Sequence, residues 1–84
     1  MKEVYIGFPS LTEAQRAAEE LRQSRIGCAV SRMPVLPGKS GCAYGLRLRE
    51  EVREPSLARL RERGFRTGRV VVRNADGSPG ERNG

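Results

Sequence analysis

Hydrophobic and polar residues alternate at the start of the chain. Val4, Ile6 and Phe8 fall on one face, and Glu3, Tyr5 and Gly7 on the other, over residues 2–8. A period of two predicts a half-buried strand, and Pro9 ends it. Ser10-Leu11-Thr12-Glu13 then has the form of a capping box, with Ser10 as N-cap and Glu13 three positions on. The helix it opens sets Leu11, Ala14, Ala17, Ala18 and Leu21 on one stripe. Glu13, Arg16, Glu19, Glu20 and Gln23 occupy the other side, and Gly27 is the expected stop.

The pattern returns to period two from Cys28 to Val35, with Cys28 and Val30 in phase. Pro34 and Pro37 cannot donate to a ladder, which marks an edge strand. Residues 36–41 form a hairpin connection, and residues 42–49 a third strand. There Tyr44, Leu46 and Leu48 share one face, and Ala43, Gly45, Arg47 and Arg49 the other. Pro55 suits the first turn of a second helix, with Leu57 and Leu60 as its core contacts and Gly64 as its C-terminal stop. Residues 65–73 read as a fourth strand, with Val70 and Val72 opposed to Arg69, Val71 and Arg73. The remainder, residues 74–84, has little to bury and is expected to be disordered.

Strand, helix, strand, strand, helix, strand is the split-βαβ order. The expected fold is therefore α+β and ferredoxin-like, a single domain over residues 1–73. Two helices would cover one face of a four-stranded antiparallel sheet of order 4-1-3-2. With 84 residues the core is small, and a homodimer would suit it.

Composition removes several kinds of chemistry. There is no histidine, and two cysteines alone cannot complete a four-ligand zinc site within one chain. No metal or other cofactor is expected, and no constellation marks a free-standing enzyme. No apolar run reaches the roughly 20 residues that span a bilayer. The first residues enter a strand pattern without an apolar signal block, so a cytoplasmic location is expected. The net charge is +6, carried mostly by arginine. Arginine favours planar, bidentate partners such as carboxylate and phosphate.

One thiol stands out. Cys42 lies where the loop Pro37-Gly38-Lys39-Ser40-Gly41 turns into the third strand. Strands one and three are neighbours in the expected sheet, so Cys42 should lie near the start of the first helix. Ser10 and the backbone amides of Leu11 and Thr12 are there, and a helix N-terminus favours anions. With Lys39 beside it, and Arg63 and Arg66 expected at the same edge, the thiol's pKa would be lowered. The other reading makes Cys42 a small apolar residue at a strand start. Cys28 is expected in the core beside Val30. The register separates the two cysteines by roughly 15–20 Å, too far for a disulfide.

The face opposite the core would carry Tyr5, Arg47, Arg49, Arg69, Val71 and Arg73. Four arginines beside one aromatic could hold phosphates or an acidic protein. RNA-binding sheets of this topology stack bases on aromatics of strands one and three. Here the phase that avoids burying Arg47 and Arg49 also buries Tyr44, leaving Tyr5 as the only stacking aromatic. Nucleic acid is thus the weaker candidate partner.

Three segments together resemble the family of small bacterial selenium/sulfur carrier-like domains. They are Phe8-Pro9-Ser10, the run through Met33-Pro34-Val35, and Cys42-Ala43-Tyr44-Gly45-Leu46-Arg47-Leu48. The resemblance spans roughly residues 2–73, and only the cysteine motif is specific. Ala43 departs from it, because the family usually has glycine there. The resemblance implies that Cys42 accepts sulfur or selenium as a persulfide or perselenide and passes it between partner proteins. Lys39, Ser10, Leu11 and Thr12 would then hold the added charge. Arg47, Arg49, Arg69 and Arg73 would dock an acidic donor or acceptor. The alternative is a binding or regulatory module that uses the arginine face for self-association, protein or RNA.

Overall fold

The computed structural model describes residues 2–33 and 44–74. Its elements are β1 (Lys2–Phe8), α1 (Leu11–Gln23), β2 (Ala29–Arg32), β3 (Tyr44–Arg49), a 3-10 turn (Glu50–Val52), α2 (Arg53–Glu62) and β4 (Val70–Asn74). The four strands form one antiparallel sheet of order β2-β3-β1-β4. Read from the other edge, this is 4-1-3-2.

Register fixes which residues share a face. Val4 pairs with Leu48 and Val72, Ile6 with Leu46 and Val70, and Phe8 with Tyr44. Cross-strand partners point the same way, so these residues form the side that the helices cover. Val4, Ile6, Phe8 and Leu46 are sealed from solvent together with Ala14, Ala17, Ala18 and Leu21 of α1 and Leu60 of α2. The alanines let α1 lie close on the sheet.

Both helices end in the same way. In α1 the Arg25 N–H donates to the Arg22 carbonyl (2.9 Å), and the Ile26 N–H reaches back to that of Leu21 (2.9 Å). In α2 the Gly64 N–H donates to the Arg61 carbonyl (3.0 Å), and the Phe65 N–H to that of Leu60 (2.9 Å). These are paired Schellman closures, each with an apolar residue folded back beside the helix. Gly64 takes the left-handed conformation at φ 82° as expected of a stop. At the end of α1 that conformation falls on Arg25, at φ 63°, and not on Gly27. The apolar residue after the closure must be Ile26 to reach Leu21, and this places the turn two residues before the glycine.

Other boundaries also move. β2 covers only Ala29–Arg32, so Cys28 precedes it. β4 begins at Val70, because Gly68 and Arg69 together face Gly7. The Gly68 N–H donates to the Gly7 carbonyl (2.7 Å), and the Gly7 N–H donates to the Arg69 carbonyl (2.8 Å). Two residues opposite one form a bulge, which breaks the regular ladder. Leu11, expected on the buried stripe, is 40% exposed, because it is the first helical residue and lies ahead of the turn that packs on the sheet. The loop of residues 34–43 and the tail after Asn74 lie outside the described residues. No helix among the described residues is long and apolar enough to cross a membrane.

Candidate functional site

The side of the sheet away from the helices is built from three strands. β3 contributes Arg47 and Arg49, β1 contributes Glu3, Tyr5 and Gly7, and β4 contributes Val71 and Arg73. The register aligns Arg49, Glu3 and Arg73 in one row and Arg47, Tyr5 and Val71 in the next. Arg69 follows at the bulge, level with Gly7. Two columns of arginine therefore flank the central strand. Neighbouring strands are about 4.8 Å apart, so the columns stand roughly 10 Å from each other. Arg47 and Arg49 are exposed, and Arg69 and Arg73 half-buried.

Glu3 sits between the columns, and the Tyr5 hydroxyl donates to its carboxylate at 3.3 Å. The Arg73 guanidinium lies over the Tyr5 ring, 6.0 Å from its centre. Tyr5 is only 7% exposed. This corrects its expected role, since a ring so covered cannot present a face to a base. At the other end of this side, Gly45 and Gly7 are opposite each other and both buried. The Met33 thioether lies over Gly45. A Cβ built on Gly45 would come 2.6 Å from that sulfur and closer still to the Ile6 carbonyl oxygen. Arg69 carries a buried Nε with no hydrogen-bond partner.

The expected thiol site is described only on its helix side. Ser10 is the N-cap of α1, and its Oγ accepts from the Glu13 N–H at 3.2 Å. Leu11 and Thr12 occupy the first turn, whose amides have no carbonyl partner within the helix. The Phe8–Tyr44 pair brings the first residue of β3 level with the strand end that leads into this cap. Cys42 and Lys39 lie outside the described residues. Arg63, expected near them, is committed elsewhere. Its Nε donates to Glu20 at 3.0 Å, while the Arg59 Nε donates to the same oxygen at 2.8 Å.

Glu20 was expected on the solvent side of α1. It lies instead against α2, with its side chain 13% exposed. The hydrogen bond from Arg63, with Arg59 assisting, holds its carboxyl below the usual carboxylate range. Only its position relative to α2 could have revealed this, and α1 periodicity does not contain it.

Cys28 packs against the core as expected, with its Sγ 3.8 Å from the Ala18 carbonyl. Burial pushes its thiol above the ordinary value, although Arg22 pulls the other way. It is therefore a poor nucleophile at neutral pH. Among the described residues no three histidine, cysteine, aspartate or glutamate side chains are grouped to hold a metal ion.

These features define a small α+β domain with one sheet face under helices and one studded with arginine. No protein-family model, curated protein or solved structure matches the chain.

Proposed function

We propose that this protein is a docking module whose arginine-bearing sheet face binds an acidic polypeptide. The observation that carries the reading is the pair of arginine columns, on β3 and β4, flanking β1 with Glu3 the one acidic residue between them. Guanidinium groups pair bidentately with carboxylates, and a field of one sign steers partners of the other. Self-association through this face would set arginine against arginine. Among the described residues the open face offers no platform for base stacking, because Tyr5 is buried under Arg73. The order of elements and strands supports reading the fold as ferredoxin-like, a frame that leaves one sheet face to partners.

The test compares polyglutamate and single-stranded RNA as probes, by amide chemical shifts at rising salt. Polyglutamate should shift Arg47, Arg49 and Arg69 and lose affinity steeply with salt. Tighter binding of RNA at matched charge would overturn the reading.

A second reading adds transfer chemistry to the same docking event. The Phe8–Tyr44 pair, level with the strand end leading to the Ser10-capped helix, favours it. In that reading Cys42 carries sulfur or selenium between partner proteins and the arginine face holds the acidic donor. The protein is then a carrier, not an enzyme in its own right. The pH dependence of Cys42 alkylation tests it, with Cys28→Ser to isolate the thiol. A midpoint well below about 8.5 supports an activated thiolate, and one at or above it overturns the carrier role.

A further inference from the structure

We infer that the acidic partner anchors itself by adding an extended segment as a fifth strand on the outer edge of β4, at Val70 and Val72. This rests on the docking reading above and specifies how the partner is held.

β4 is an edge strand, with β1 on one side and no strand among the described residues on the other. Its hydrogen-bonding pattern can be read from Gly7, which both donates to and accepts from the β4 side. Bonded and unbonded pairs alternate along an antiparallel ladder. Ile6–Val70 and Val4–Val72 are therefore the unbonded pairs, and Tyr5–Val71 the bonded one. Val70 and Val72 consequently turn their N–H and C=O groups outward, spaced to receive a strand. Val70 is 39% exposed, one of two large apolar residues so open among those described. An edge of three consecutive valines is a ready template for strand addition.

Charge selects the occupant. An added strand would place alternate side chains on the open face beside Arg69, Val71 and Arg73, and the others beside Val70 and Val72. An acidic residue facing Arg69, whose Nε has no hydrogen-bond partner, and apolar residues facing Val70 and Val72 complement both rows. A second copy of this chain does not. Antiparallel pairing of β4 that bonds Val70 to Val72 of the second copy sets Arg69 opposite Arg73 of that copy, and like charges directly opposed destabilise a pair. The β2 edge competes less well. It is four residues long, and Pro34 follows closely, which cannot donate.

The probes are two heptapeptides of alternating glutamate and valine, one unmodified and one N-methylated at the amides that would face β4. They are titrated into the full chain, followed by amide shifts and hydrogen exchange. The unmodified peptide should bind, protect the Val70 and Val72 amides from exchange, and lose affinity more for Arg69→Ala than for Arg47→Ala. N-methylation should weaken it by about tenfold or more, which is about 1.4 kcal/mol. Equal binding of both peptides, with shifts centred on Arg47 and Arg49, overturns strand addition and leaves the docking reading standing. No binding of either peptide overturns both. A dimer in sedimentation, with β4 amides protected in the absence of peptide, overturns the acidic occupant.

Discussion

The two faces of the sheet are made from the same strands and differ in what each position must satisfy. Leu46 and Arg47 are adjacent in β3. Leu46 is sealed in the core beneath the helices, and Arg47 projects from the opposite side into solvent. The covered face specifies the fold, because every side chain there has volume to fill. The open face is free of that demand at its arginines, yet Tyr5, Gly7 and Gly45 are buried on it as well. It is thus a surface with its own fixed floor, and its charges are carried around that floor. The largest expected effect measures this difference directly. Leu46→Ala should cost about 2–5 kcal/mol in urea unfolding, by lost transfer and cavity. Arg47→Ala should stay within about 0.5 kcal/mol while weakening polyglutamate binding. Comparable losses of stability for the two variants would break the division of labour between the faces.

Gly45 tests the floor. Its position on the open face suggests tolerance, but the Met33 sulfur and the Ile6 carbonyl oxygen leave no room for a Cβ. Overfilling a packed site costs about 1–3 kcal/mol. Gly45→Ala should therefore destabilise far more than Arg47→Ala, although both change the same face. Circular dichroism with urea would show it. A Gly45→Ala variant as stable as the parent would mean that Met33 moves aside freely and that the open face has no fixed floor.

Glu20 offers a smaller effect, with a pH signature. Its carboxyl is held below the ordinary value of 4.5 by Arg63 and Arg59, so the folded state binds its proton less readily than the unfolded chain. Stability from this group is present above pH 4.5 and is lost as pH falls through the lowered folded value. Glu20→Gln should be less stable than the parent at pH 7, and the gap should narrow at pH 3. A gap that stays constant with pH would show that the two helices are held together without this charge.

Much of this arrangement was legible in the chain because strand phase is a local property. Val4, Ile6, Leu46 and Leu48 announce one face by alternation, and Arg47, Arg49, Arg69 and Arg73 the other. The Ser10 cap and the Gly64 stop follow from side-chain chemistry over three or four residues. What was not legible depends on contacts between distant segments. Glu20 faces Arg59 and Arg63 because α2 lies beside α1. Tyr5 is covered although its phase assigns it to the open side, in part by Arg73 from a strand far along the sequence. The turn at Arg25 was masked by the more obvious glycine at 27. The bulge at Gly68 and Arg69 shortens β4 to the valine run, and residues 66–69, which carry no apolar side chain, give no alternation that links Phe65 to Val70.

Ser56 provides the finest test of how strictly the covered side demands apolar filling. It is fully buried in α2, and its Oγ has no hydrogen-bond partner. Serine in a helix often bonds back to the carbonyl four residues earlier, and here it does not. A buried hydroxyl without a partner retains its desolvation cost and returns nothing for it. Ser56→Ala removes the oxygen, keeps the Cβ and raises helix propensity. The variant should gain up to about 1 kcal/mol in urea unfolding, with the polyglutamate affinity of the opposite face unchanged. A loss of stability would mean that the hydroxyl is satisfied in solution and that this position of the covered side accepts polarity. The demand for apolar filling would then be weaker beneath α2 than beneath α1, where alanines and Leu21 occupy the corresponding buried positions.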